Sequence, residues 1–377
     1  MISEKMKPFM ANNSAIRAMF EEGKRMAAVY GRENVYDFSL GNPNVPVPQV
    51  TEAILDVVKN EDFMTLHGYM SNAGYEDVRQ TIAESLNKRF GTNFSFKNLI
   101  MTVGAASGLN IILKSILNPG DEVIVFAPYF VEYNAYVRNY DGNVVVISPD
   151  TETFMPKLDE FEAKITAKTK AVIINNPNNP TGRLIADDLL EEILRICREK
   201  NIALFVDECF LSLSDGGVDL TPSLSDFPQL FILKAFTKSF GMAGLRLGYG
   251  LSADEALLRK MSAAVPPWNV STLAQAAGVA ALGDAEFLEK NRTIIRAERP
   301  WLEEKLRKFS FWVCPSQVNY ILFRGDVGLT EQLRARGVAI RDCANFEGLT
   351  SGWYRVAVRQ YEENEQLIAA IRSVGKE

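Results

Sequence analysis

The segment Thr237-Lys238-Ser239-Phe240-Gly241-Met242-Ala243-Gly244-Leu245-Arg246 sets one lysine just beyond a strand-like run, Leu230-Phe231-Ile232-Leu233. An amine placed there can condense with an aldehyde cofactor to form a Schiff base. The Thr237 hydroxyl and the Arg246 guanidinium can hold a phosphate of such a cofactor by charge-assisted hydrogen bonds. The plain alternative is a lysine in a surface loop. Three further stretches weigh against it, because each also places a chemically useful group just past a strand-like run.

The run Leu99–Val103 enters Gly104-Ala105-Ala106-Ser107-Gly108-Leu109 and then a helical pattern. Small residues at a helix start let a phosphate approach the backbone N–H groups, although small residues suit any tight turn. The run Lys170–Ile174 enters Asn175-Asn176-Pro177-Asn178-Asn179-Pro180-Thr181-Gly182, where two prolines and a glycine stiffen the loop and Asn179 can donate to a cofactor oxygen. The run Ile202–Val206 ends in Asp207-Glu208. A carboxylate at the end of a buried apolar strand is costly unless a positive group pairs with it. A protonated pyridine nitrogen is such a partner, and a protonated pyridine ring is an electron sink.

Together these four stretches resemble the signature of fold-type I pyridoxal-phosphate (PLP) enzymes, the aspartate aminotransferase superfamily. The asparagine-proline loop matches that family's Asn-x-Pro-x-Asn-Pro-Thr-Gly pattern at every position. The resemblance implies that Lys238 is the cofactor lysine, that Asn179 bonds the 3'-oxygen of PLP and that Asp207 meets its ring nitrogen. It also implies that the amides of Ala105 and Ala106, with Thr237 and Arg246, hold the phosphate. Phe130, after Ala127-Pro128-Tyr129, matches the aromatic that stacks on the ring, with core packing as the alternative. Tyr69, in His67-Gly68-Tyr69, matches the tyrosine that reaches the phosphate of a neighbouring subunit, which implies a homodimer with shared active sites. His67 is expected to be a packed structural residue.

On the substrate side, Trp353-Tyr354-Arg355-Val356-Ala357-Val358-Arg359 offers two arginines. Arg355 aligns with the family's carboxylate arginine, a fork suited to bidentate recognition; Arg359 is the lesser candidate. Gly41, in Ser39-Leu40-Gly41-Asn42-Pro43, matches a backbone contact to the substrate, and Asn179 is shared between cofactor and substrate. One position departs from the pattern. Most relatives carry a tyrosine three residues after the ring-nitrogen aspartate, and here that residue is Phe210, which leaves Asn179 alone on the 3'-oxygen. The segments Pro266–Ser271 and Asp342–Leu349 resemble most the branch holding histidinol-phosphate aminotransferases and threonine-phosphate decarboxylases.

These groups need a frame. From about Leu99 the chain alternates short β-branched runs with amphipathic helices: Leu99–Val103, Glu122–Phe126, Asn143–Ser148, Lys170–Ile174, Ile202–Val206, Leu230–Leu233 and Arg246–Gly250 as strands. One of the helices is Ala186–Lys200, with Leu189, Leu190, Ile193, Ile196 and Cys197 on one face. Near-continuous apolar strands between helices mean a mostly parallel sheet covered on both sides. The expectation is an α/β protein of PLP-dependent transferase fold type I, with a seven-stranded sheet in a large domain, residues 42–265. Residues 1–41 and 266–377 supply an N-terminal segment and a smaller α+β domain. In such a sheet ligands bind beyond the carboxyl ends of the strands, where all four stretches lie.

Composition narrows the chemistry. One histidine, His67, argues against a Ser-His-Asp triad or a histidine-rich zinc site, and no metal ligand set is expected. Four cysteines without paired spacing read as reduced thiols. A net charge of -6 argues against nucleic acid or an anionic membrane as partner. No run is long enough to span a bilayer and the N-terminus has no apolar signal core, so a cytoplasmic location is expected. The expected activity is that of a PLP-dependent aminotransferase acting between an amino acid and a 2-oxo acid. The alternatives are a PLP-dependent decarboxylase of a phosphorylated amino acid and a non-catalytic protein of the same fold. A decarboxylase would want extra phosphate ligands, for which the N-terminus offers only Asn12, Asn13, Ser14 and Arg17.

Overall fold

The computed structural model describes residues 15–41 and 48–375, with residues 2, 6 and 7. Asn12, Asn13, Ser14, Asn42, Pro43 and the side chain of Arg17 lie outside the described residues.

After a short strand β1 (Tyr36–Asp37), seven strands form the large sheet: β2 (Leu99–Thr102), β3 (Glu122–Phe126), β4 (Asn143–Ile147), β5 (Thr169–Asn175), β6 (Ala203–Asp207), β7 (Leu230–Ala235) and β8 (Gly248–Leu251). Their spatial order is β2-β8-β7-β6-β5-β3-β4. Only β8 runs against its neighbours; the other pairings are parallel. All seven expected strands are therefore present. The last begins later than its sequence pattern suggests, at Gly248, because Arg246 takes a left-handed φ of 61° that no strand can accommodate.

Strand parity sorts the side chains onto two cores. Val123, Val125, Phe205 and Leu233 pack on one side with Ile112 and Val137. Ile124, Leu204, Val206 and Ile232 pack on the other with Ile82, Ile193 and Ala277. Residues of one strand alternate faces, so Asp207 and Glu208 at the end of β6 line different cavities on opposite sides. The amphipathic helix expected at Ala186–Lys200 spans Asp187–Glu199 and buries Leu190, Ile193, Ile196 and Cys197. The helix Thr272–Gly283, which lies beyond the expected boundary at residue 265, also packs in the large core through Ala274, Ala277 and Ala281.

The smaller sheet is antiparallel, ordered β12-β13-β10-β9, from β9 (Trp312–Val313), β10 (Tyr320–Arg324), β12 (Arg341–Asp342) and β13 (Trp353–Ala357). Its core joins Ile321, Phe323 and Val356 to Leu302 and Leu306 of the long helix Ala285–Arg307 and to Leu367 of the last helix, Tyr361–Val374. β1 pairs in parallel with β11 (Val338–Ala339), and Phe38 enters this core. That pairing brings Ser39 and Gly41 towards the carboxyl edge of the large sheet.

Candidate active site

One pocket of about 440 Å³ opens at that edge, a size that suits a cofactor with a small substrate. The loops after β2, β3, β5, β6 and β7 line it, as do residues from the smaller sheet.

One end is built for an anion. The helix Ala105–Ile116 begins after Gly104, which has no side chain to cap the first-turn N–H groups of Ala105 and Ala106. Gly104 is required here: its φ is 89°, and a Cβ would stand 2.8 Å from Arg246 Nη2. Arg246 Nη2 donates to Val103 O at 2.8 Å and Nη1 to Ala243 O at 3.1 Å, which fixes the guanidinium beside the helix start. Buried Thr237 completes this end.

The opposite end is acidic. Asp207 closes β6 on the face of Phe205, accepting from Tyr133 Oη at 3.0 Å and from the Cys209 N–H at 3.1 Å. Burial pushes its carboxyl up, and those two donors with the nearby Lys238 pull it back. It makes no ion pair among the described residues. Burial, with Asp207 beside it, holds the Tyr133 phenol well above its ordinary value, so Tyr133 remains a donor. Phe130 lines the wall, edge-on to Tyr133 with centroids 5.7 Å apart. Asn179 accepts from Arg355 Nη1 at 2.5 Å, so its amide nitrogen is the donor left for a ligand.

Lys238 sits on the short helix Phe236–Ser239. Burial lowers its pKa to about 8, helped by the positive Arg355 and Arg246 and opposed by Cys209 and Asp207. Its Nζ lies 5.5 Å from the centre of the Phe210 ring. Phe210 in turn packs edge-on against Tyr320, 5.0 Å away, whose hydroxyl is committed to Asn178 O at 2.9 Å. Phe210 thus fills this wall by packing and offers no hydroxyl.

Arg355 is buried, donating through Nη2 to Ser39 O at 2.7 Å, while its Nε has no partner. Directly opposite it in the β12–β13 register stands Arg341, also buried and also lining the pocket. Arg341 donates to Asn345 Oδ1 at 2.9 Å and lies over the Phe346 ring at 5.2 Å. Burial lowers its pKa, and the neighbouring Arg355 lowers it further. Like charges directly opposite each other across a ladder repel, and an anion meeting both would relieve that repulsion. Gly41 lines the pocket between Phe210 and Tyr320, and its carbonyl accepts from Asn319 Nδ2 at 3.1 Å.

The structure thus gathers Lys238, Ala105, Ala106, Phe130, Asn179, Asp207, Thr237, Arg246, Gly41 and Arg355 around one pocket. Tyr69 does not join them. It is 85% exposed and stacks on Trp268 at 4.4 Å. His67, expected to be packed, is exposed and meets the Phe63 ring at 5.1 Å, because its short helix lies at the surface. Arg359 lies outside the pocket and donates to Asp37 O. Tyr133 and Arg341 escaped the sequence reading. Tyr133 had a faint signal, one helical turn past Phe130, whereas Arg341 meets Arg355 only through strand pairing.

These residues fit pyridoxal phosphate. An uncapped helix start beside Thr237 and Arg246 can take its phosphate, Asp207 its protonated ring nitrogen, the Asn179 amide its 3'-oxygen and the lowered Lys238 amine its aldehyde carbon. Among the described residues no cluster of metal-ligating side chains competes with that reading.

Comparison with known proteins points the same way. The family described as "Aminotransferase class I and II" matches residues 32–371. The chain is 33% identical over 336 residues to a histidinol-phosphate aminotransferase of Archaeoglobus fulgidus, covering 88% of this chain and 97% of that one. It is 28% identical to that of Methanocaldococcus jannaschii, over 99% of this chain and 96% of the relative. Among solved structures, an aspartate aminotransferase from Thermotoga maritima superposes with a TM-score of 0.88 at 26% identity over 100% of both chains. An amino transferase from Eubacterium rectale gives 0.86 at 30% identity, covering 100% of this chain and 98% of that one.

Proposed function

This chain belongs to the aminotransferase class I and II family and is a PLP-dependent aminotransferase, and from that premise we propose that Lys238 is its cofactor lysine and that Arg341 and Arg355 together seat an anionic group of the amino donor. When bound, PLP supplies a protonated ring that draws electrons from the bonds at the substrate Cα. Ala105, Ala106, Thr237 and Arg246 would hold its phosphate, Asp207 its ring nitrogen and Asn179 its 3'-oxygen, with Phe130 supplying an aromatic wall. Tyr133 keeps the Asp207 carboxylate oriented by its hydrogen bond. Lys238 Nζ takes the proton from the substrate Cα. It can do so near neutral pH because burial and two nearby arginines favour its neutral form. The Arg355 fork, braced by Ser39 and Asn179, fixes the substrate so that the Cα–H bond faces this amine.

The observation that carries the substrate reading is the pairing of two buried guanidiniums across β12 and β13. A phosphate, with more charge and more acceptor oxygens than a carboxylate, satisfies such a pair best. Relatives named histidinol-phosphate aminotransferase make histidinol phosphate, an amine ending in a phosphate, the first donor to test. The relatives' names favour transamination over decarboxylation. The deciding measurement is a donor panel of histidinol phosphate, aspartate, aromatic amino acids and phosphothreonine, scored for 2-oxoglutarate-dependent turnover. Arg341→Gln is expected to raise KM for the phosphorylated donor roughly 10- to 100-fold, about 1.4–3 kcal/mol, the range of a hydrogen bond to a charged group. Equal turnover of an uncharged amine and histidinol phosphate would overturn the anion reading.

We also read the exposed Tyr69–Trp268 stack as the part of the surface offered to a second copy, with Tyr69 reaching the partner's phosphate end. Supporting this is the exposure of Phe63 and Met64 a few residues earlier in the chain, at 73% and 68%, since exposed large apolar side chains mark interaction surfaces. Mixing inactive Lys238→Ala with an inactive Tyr69→Phe variant should restore activity through heterodimers holding one intact site. No recovery after verified subunit exchange would remove the shared-site arrangement. A cytoplasmic location accords with four free, buried cysteines.

A further inference from the structure

A second cavity, of about 340 Å³, lies behind the edge that holds the active site. The two share a wall, the short helix Phe236–Ser239: Thr237 and Lys238 line the front pocket, while Phe236 and Ser239 line the rear one. The rear cavity is bounded by the helix Glu76–Phe90, by Lys234 and Tyr249 of β7 and β8, and by the start of the long helix Ala285–Arg307.

Three observations make this more than a gap in packing. Tyr249 is only 6% exposed, yet its hydroxyl has no hydrogen-bond partner among the described residues and lines the cavity. Facing the cavity, that hydroxyl keeps both a donor and an acceptor for an occupant. Second, Arg89 and Arg292 both line the cavity. Burial lowers the Arg292 pKa and the positive charge of Arg89 lowers it further, while Arg89 itself is exposed. Arg89 lies over the Phe90 ring at 4.8 Å and makes no ion pair among the described residues. Arg292 is held by Ser212 O at 2.7 Å, with the Glu289 carboxylate 3.6 Å away. Third, the remaining cation, Lys234, is already neutralised by Glu208 and Asp219 at 2.5 and 2.8 Å. An incoming anion would therefore settle at the arginine end rather than at the floor.

We infer that this rear cavity binds a small organic oxyanion, a phosphate or carboxylate on an apolar body, with the anionic group at the arginine end lined by Arg89 and Arg292 and a polar atom at the Tyr249 hydroxyl. Phe90 and Leu288 supply the apolar walls for the body. Because Ser239 shares a 2.5 Å hydroxyl contact with Ser212 on this side, the occupant touches the segments that follow both Asp207 and Lys238. The site does not depend on which amino donor the front pocket uses.

The test is calorimetric titration of the holoenzyme with phenyl phosphate, repeated with benzoate and with inorganic phosphate. Two classes of site are expected, one of them insensitive to Arg341→Gln. Arg89→Gln combined with Tyr249→Phe should weaken that class by roughly tenfold or more. Ser85→Trp, which fills the cavity from the neighbouring helix without removing a charge, should abolish it. Phenyl phosphate or benzoate binding this class more tightly than inorganic phosphate supports an organic occupant. A single class of site lost in Arg341→Gln, unchanged binding in Ser85→Trp, or equal affinity for inorganic phosphate would each overturn the assignment.

Discussion

Lys238 and Lys234 sit close together in the chain, each near an acidic residue at the end of β6, yet the fold gives them opposite chemistry. Lys234 projects to the side of Val206 and Ile232, where Glu208 and Asp219 hold it at 2.5 and 2.8 Å. Burial works against its charge, but the two carboxylates outweigh that and raise the Lys234 pKa above its ordinary value. Lys238, one short helix further on, meets Arg355, Arg246 and a phenyl ring, and its pKa falls to about 8. The first lysine is a cross-brace, and the second keeps an amine that gives up its proton more readily, as its proposed role as a base requires. Burial is common to both, so partners rather than depth separate a structural lysine from a reactive one.

Removing each lysine gives the sharpest separation. Lys238→Ala should cost more than 1,000-fold in turnover, within reach of the contribution of a positioned proton-transfer group together with the lost cofactor attachment. Its unfolding midpoint should stay close to that of the parent. Borohydride reduction of the parent holoenzyme followed by peptide mapping should label Lys238; label on Lys234 would reverse the two roles.

The pH response tests the same contrast without mutation. A lysine whose folded pKa is lowered is protonated below that pKa and neutral above it. Capture of PLP by the apoenzyme, followed by absorbance, should therefore slow about tenfold per pH unit below a midpoint near 8. A midpoint near the ordinary lysine value of 10.5 would show that the arginines and burial do not act on Lys238 as described.

Lys234→Met should leave Glu208 buried without its cation, a loss of about 3–5 kcal/mol in denaturant unfolding. Adding Glu208→Gln to it should recover part of that loss, since the uncompensated charge is removed. If Lys234→Met unfolds like the parent, the brace is not the role of this lysine.

The smallest effect belongs to Tyr133→Phe. It deletes one donor to Asp207 and should weaken PLP binding by a few-fold to tenfold, about 0.5–1.5 kcal/mol. Unchanged affinity, read by fluorescence titration, would mean that the Cys209 N–H alone orients Asp207.

Much of the frame was legible from residue order. Seven strand patterns became seven strands because they are short, mostly apolar runs, several of them closed by glycine, proline, asparagine or aspartate, a signal local in the chain. The four strand-end stretches gathered for the same reason, since the carboxyl ends of parallel strands share one edge. Tyr69, expected to serve a partner subunit, stands apart from the pocket of its own chain. His67 was harder to read because a short helix on the surface and one in the core carry the same local pattern.

Residue types and order by themselves determined the α/β frame and the cofactor class, and they point to Lys238 as the proposed cofactor lysine, because those depend on local patterns and on groups that follow strands. Tertiary structure alone decided which charges face each other. Arg341 opposite Arg355, Lys234 between two carboxylates and Tyr249 facing a cavity all depend on strand register and on helices distant in sequence. Electrostatic interactions act over a few ångströms through space, and no spacing along the chain reports that distance until the sheets have paired.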